Sequence, residues 1–267
     1  MAIIGNVMAY KAYLSQAKSM QALDKQDYAA AIECENKALE GYEKAMAKGM
    51  NQVNYLIAYT VLLLRTGKFE KAMEIIRQTE KMPNLNEDQK RRLIINYSIC
   101  QWKLGDIDHA IGAMIELSKT YKNSTVYGSL GYMLIARGDK TGDYSEARKF
   151  NDEAMDYDDE DAVVLDNVGQ YYQRTGDYEK AREYLGKALE IRPTQVDSMY
   201  YLAKVNQAEA EQLMQQGDSD SINQAETYMA DAKKLVDKAM GIHFSALATV
   251  THESLKQYRA ELDAAGK

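Results

Sequence analysis

The stretch from Val164 to Pro193, VLDNVGQYYQRTGDYEKAREYLGKALEIRP, sets out small, aromatic and turn residues in an order that the chain repeats elsewhere. Its landmarks are Val168-Gly169, Tyr172, Gly176, Tyr178, Ala181, Leu185, Ala188 and Pro193. Upstream, TGKFEKAMEII carries Gly67, Phe69 and Ala72, and LGDIDHAIGAM carries Gly105, Ile107 and Ala110. TGDYSEARKFN carries Gly142, Tyr144 and Ala147, preceded by Leu130-Gly131 and by Gly138. The alanines lie 38 (Ala72 to Ala110), 37 (Ala110 to Ala147) and 34 (Ala147 to Ala181) residues apart. A near-constant period of this size marks a stack of small structural units, with insertions falling in the turns.

Each landmark has a physical role. Gly67, Gly105 and Gly176 follow an apolar-periodic helix, where glycine allows the left-handed backbone that ends it. Ala72, Ala110, Ala147 and Ala181 are placed where two antiparallel helices approach most closely, and larger side chains there push the helices apart. Pro193 stops a helix between units, and Pro83 falls one residue from the matching place. KQDYAAAIECENKALE, with Tyr28, Ala31 and Ala38, gives an earlier unit. VDSMYYLAKVNQAEAEQLMQQ and INQAETYMADAKKLVDKAM give a later one, and THESLKQYRAELDAA a last helix with a polar outer face.

The order Leu-Gly, Tyr, Gly, aromatic, Ala, aromatic, Ala, Pro resembles the tetratricopeptide repeat, whose period is about 34 residues. The resemblance is strong from Gln52 to Pro193 and weaker at either end, with Leu165 standing where tryptophan is usual. It implies an all-α fold: a right-handed superhelical solenoid of antiparallel helix pairs. The expected division is one domain, 1–267, with units at 9–50, 53–86, 91–123, 124–161, 162–195 and 196–241, and a capping helix at 245–264.

Composition narrows the partners. With only two prolines, long stretches are left free to be helical. A net charge of -7 argues against nucleic acid, which needs clustered Lys and Arg, and against docking on an anionic membrane. Cys34 and Cys100 form no spacing motif and read as reduced, packed thiols, consistent with the cytoplasm. No segment has the roughly 20 apolar residues of a spanning helix, so no direct membrane insertion is expected. MAIIGNVMAY reads as the first turns of a packed helix; the competing reading is the stub of a removed membrane anchor.

No catalytic constellation is present, so the chain reads as a binding protein and not an enzyme, with no cofactor and no metal. His109, His243 and His252 are scattered, and no phosphate loop, nucleophile elbow or zinc pattern occurs. The acidic run Asp156, Asp158, Asp159, Glu160, Asp161 lacks the glycine and glutamate of a calcium loop, and instead suits capping of the next helix. Gly217 to Ser221 reads as a turn and cap. Most of the 20 tyrosines read as wedges between helices.

The resemblance implies that the first helix of each pair lines a concave groove that takes a protein or peptide segment. The lining residues would be Asn54, Ile57, Val61 and Arg65, then Arg92, Ile95, Ile99, Trp102 and Lys103. Tyr132 follows, then Asp166, Gln170, Gln173 and Arg174, and finally Tyr200, Lys204 and Gln207. The earlier part reads as an apolar strip with basic edges, the later part as polar. Trp102, the only tryptophan, is the expected anchor, since tryptophan is enriched at binding hot spots. The carboxylate clamp of some co-chaperones is not apparent in these positions. The role expected is a scaffold or adaptor; the alternatives are a peptide-sensing regulator and the cytoplasmic-facing part of a membrane-anchored assembly factor.

Overall fold

A computed structural model describes residues 2–265. Among them are thirteen α-helices and no strand. The described residues form two compact units, 2–121 with 245–247, and 122–244 with 248–265.

The first unit holds α1 (Ala2–Asp24), α2 (Tyr28–Ala47), α3 (Val53–Arg65), α4 (Phe69–Thr79), α5 (Glu87–Lys103) and α6 (Ile107–Ser118). They pack as the pairs α1–α2, α3–α4 and α5–α6, and the first helices of successive pairs lie side by side. Helix α3 is buried on almost every side, with Ile57, Tyr59, Leu62 and Leu63 at zero exposure. Tyr59 stacks on Tyr42 of α2, and the Tyr42 hydroxyl donates to Gln16 of α1 at 2.9 Å. The Cys100 thiol is pushed up to about 12 by burial and touches the Phe69 carbonyl, so it serves as apolar packing. Cys34 is half-buried.

Helix α1 begins at Ala2 instead of near residue 9, and MAIIGNVMAY is helical throughout its described residues. Its contact with α2 is made by small residues: a Cβ on Gly5 would meet the Ala45 carbonyl oxygen at 2.9 Å, and one on Gly41 would meet Ala12 at 2.9 Å. Helix α5 also starts early, at Glu87, because Asn86 and Gln89 exchange reciprocal hydrogen bonds across its first turn.

The second unit holds α7 (Ser124–Thr141), α8 (Ser145–Tyr157), α9 (Ala162–Thr175), α10 (Tyr178–Ile191), α11 (Val196–Gln216), α12 (Ser219–Met240) and α13 (His252–Ala265). The pairs α7–α8, α9–α10 and α11–α12 follow the same scheme, with α13 packed on α12. The landmark alanines have the expected place: Ala72, Ala110, Ala147 and Ala181 are all buried. At the α9–α10 crossing Gly169 has no room for a side chain, since a Cβ would meet Leu185 at 2.6 Å. Gly176 then ends α9 with φ 82°, a left-handed conformation that favours glycine. The acidic run caps α9 through Asp161, which accepts from the Val163 and Val164 amides at 2.7 and 3.2 Å. Asp218 caps α12 through the Ser221 amide at 2.9 Å.

The last helix starts at His252, later than the expected residue 245. The residues just before it are used otherwise. The Thr249 and Val250 amides donate to Asp197 of α11 at 2.8 and 3.2 Å, and the Thr249 hydroxyl donates to the same oxygen.

Candidate partner-binding faces

In the first unit the expected groove residues divide by depth. Ile57 has no exposed surface, and Ile95 and Ile99 keep only 6% and 7%. The apolar strip is therefore mostly core. Its residues pack where α3 and α5 meet, beside a buried hydrogen bond from the Asn96 amide to the Thr60 hydroxyl at 2.9 Å. Val61 is half-buried, and Arg65 points its guanidinium to Glu35 at 3.5 Å. Asn54 is exposed and accepts from the Gln89 side-chain amide at 2.9 Å. Arg92 faces Asp88 at 3.9 Å, with its side chain 45% exposed.

Trp102 and Lys103, at the C-terminal end of α5, are both half-buried, with the Lys103 ammonium 4.5 Å from the indole centroid. Cation–π attraction holds the cation over the ring, so an aromatic surface and a positive charge sit together where solvent reaches both. At 3.6 residues per turn, Arg92, Ile95, Ile99, Trp102 and Lys103 share one side of α5. Ile95 and Ile99 are buried, so Arg92 at one end and Trp102 with Lys103 at the other are what this side of α5 offers to solvent.

In the second unit the residues expected to line a polar groove form a network satisfied from within. Asp166 is fully buried and accepts from the Tyr132 hydroxyl and the Gln170 amide, each at 2.7 Å, and from the Ser198 hydroxyl. Burial, and then the neighbouring Asp197, push its carboxyl well above the usual carboxylate range, to about 7. Gln170 is also fully buried, so neither it nor Asp166 meets solvent. The Arg174 guanidinium is committed to Asp139 at 2.6 and 3.0 Å and to the Tyr201 hydroxyl at 3.0 Å. Tyr200 meets the ring of Tyr258 edge-on at 5.1 Å, and the Lys204 ammonium lies 5.1 Å from both rings. Gln173 and Gln207 are half-buried, and the Gln207 amide donates to Glu211 at 2.8 Å.

Two features were missed from the sequence. One is the partnership of Asp197, Ser198 and Tyr201 with this network. The other is the cover that the C-terminal residues lay over α11. The spacing of Asp197 and Ser198 after Pro193 marks them as first-turn residues of a helix, where exposed polar groups are ordinary. Nothing local tells that Thr249 returns to Asp197, or Tyr258 to Tyr200.

Among the described residues no helix is long and apolar enough to cross a membrane. Residues 125–194 match a family model described as tetratricopeptide repeat. No curated protein sequence matches the chain. Among solved structures, TTC0263, a thermophilic tetratricopeptide protein of Thermus thermophilus, is 16% identical with a TM-score of 0.58. That match covers 80% of this chain and all of the other. A human IFIT1 dimer with m7Gppp-AAAA is 16% identical with a TM-score of 0.65, covering 93% of this chain and 55% of IFIT1. The chain thus spans about half the length of IFIT1, and identities this low establish the fold alone.

Proposed function

We propose, from the premise that this chain is a tetratricopeptide repeat protein, that it is a protein-binding scaffold and that α5 presents the primary contact. The observation carrying this reading is Trp102 with Lys103 over its ring. Tryptophan contributes a large rigid surface at small entropic cost, and such residues dominate interface energies. The half-buried indole with the basic groups Arg92 and Lys103 favours a partner segment that brings an apolar side chain to Trp102 and acidic groups beside it. An affinity of about micromolar is expected for a single contact of this size.

The reading is one of binding and not of catalysis. The polar groups of the second unit are committed to each other and to the C-terminal residues, which suits a structural role for Asp166, Gln170 and Arg174. Partner contact in that unit is left to the half-exposed Gln173, Tyr200 and Lys204. A capped RNA, as held by IFIT1, would need an arginine or lysine cluster free to face phosphate, and Arg174 is already engaged by Asp139.

The experiment is affinity purification with the full chain and with Trp102→Ala, followed by mass spectrometry, with circular dichroism confirming that the variant is folded. The expected result is at least a roughly tenfold loss of the main partner in the variant. Equal recovery overturns the α5 site. Saturable, salt-sensitive binding of a labelled m7Gppp-AAAA oligonucleotide by the wild-type chain overturns the protein-binding reading itself.

A further inference from the structure

Helix α1 turns its small residues inward and its large apolar residues outward. Gly5, Ala9, Ala12 and Ser19 are its buried positions. On the other side Ile3 is 81% exposed, Val7 53%, Tyr10 50% and Leu14 41%. At 3.6 residues per turn these four fall on a narrow stripe, with the buried four on the opposite side of the helix. A helix on a protein surface normally shows the reverse arrangement, and one that is apolar all round is normally covered all round. The spacing of the stripe, four, three and four residues, is the seam spacing of two helices packed side by side at a shallow angle.

The seam is complementary to itself. Laid antiparallel on its own copy about a two-fold axis near Tyr10, it brings Val7 against the partner's Leu14 and Ile3 against the partner's Ala17. Tyr10 then meets the partner's Tyr10 at the axis. The Lys18 stem covers the partner's Ile4 while its ammonium stays in water. We propose that α1 is a homodimerisation surface, and that the occupant of its exposed face is α1 of a second copy. The same patch serves on both protomers, so the contact closes after two copies and builds no fibre. The exposed apolar surface on the stripe and Ile4 is on the order of 500 Å² per protomer, near the threshold of about 1,000 Å² in total for a specific interface. A dimer of about micromolar affinity follows.

Charge gives the pairing a signature. The stripe is flanked by Lys11 and Lys18, with no acidic residue in the helix before Asp24. In the antiparallel pair the two Lys11 ammoniums lie on the same side of the axis, so screening their repulsion tightens the dimer. An acidic helix from another protein, or an anionic membrane, would be held less tightly as salt rises.

The test is sedimentation equilibrium of the full chain from about 1 to about 300 µM, at about 50 and about 500 mM salt. A monomer–dimer equilibrium that tightens with salt is expected. Val7→Glu combined with Leu14→Glu should weaken it at least about tenfold, and Ile222→Glu, an exposed apolar site in the other unit, should leave it unchanged. In a Cys34→Ser background, Val7→Cys mixed with Leu14→Cys should crosslink faster than either variant alone. A chain that stays monomeric throughout, a dimer indifferent to the glutamates, or preferential crosslinking of Val7→Cys to itself each overturns the proposal. Monomer binding to phosphatidylcholine–phosphatidylglycerol vesicles, lost in the glutamate variant, does so in favour of a membrane surface.

Discussion

Asp166 is a carboxyl group placed where water cannot reach it, next to a second carboxylate, Asp197. Three donors, from Tyr132, Gln170 and Ser198, favour its charged form, but burial and the neighbouring charge prevail and raise its pKa to about 7. In the unfolded chain an aspartate titrates near 3.9. Between these values the folded protein holds a proton that the unfolded chain has released, so this group's contribution to stability is fully present below about pH 4 and is lost as pH rises through about 7. Thermal melts from about pH 4 to about pH 8 should therefore show a downward trend that Asp166→Asn flattens. A variant with the same slope as the wild type would show that the trend comes from elsewhere. The residue also shows why the polar part of the site was illegible. Asp166 and Gln170 read as groove-facing because they are polar and lie on a first helix, and the partners that allow their burial come from residues far away in the sequence.

At the scale of one element, the helix pair α9–α10 is the most legible part of the molecule. Gly169, Ala181 and Leu185 meet at the crossing, and their identities are dictated by distance: the Leu185 side chain leaves no space for a Cβ on the facing glycine. Gly169→Val should destabilise the second unit by about 1–3 kcal/mol through overpacking, and Leu185→Ala in the same chain should recover part of that loss. Denaturant titration of the two variants and the double variant checks it; equal destabilisation with and without Leu185 would mean the clash is not the cause. The first unit was read less well for a related reason. Ile57, Ile95 and Ile99 belong to helices packed on several sides, and an apolar residue in such a helix gives no sign of which neighbour it faces. Trp102 and Lys103, at the helix end where packing thins, are half-buried.

For the whole molecule, the repeated landmarks gave the helical class and the pairing of helices, because each marks a local steric requirement at fixed spacing. The completion of each unit was not legible. Both units include residues from beyond α12, 245–247 in the first and 248–265 in the second. In the first, the Ala246 amide donates to the Arg65 carbonyl at 2.8 Å. In the second, the backbone beyond Ala248 supplies donors to the buried Asp197. A chain ended at Phe244 loses these hydrogen bonds to Asp197 together with the packing of α13 on α12, a loss of at least about 1–3 kcal/mol. Its melting midpoint should fall by about 5 °C or more, and a synthetic peptide of residues 245–265 should restore part of the difference. An unshifted midpoint would show that the terminal segment is dispensable.

That dependence bears on how the protein is made. Ribosomes release a chain from its first residue onward, and domains commonly fold as they emerge. Here the early helices can form hairpins during synthesis, yet Asp197 waits for amides at Thr249 and Val250, which leave the ribosome about fifty residues later. A premature stop between the end of α11 and Thr249 would deliver α1 to α11 and still leave an unfinished product, a form suited to removal by the cell's proteases.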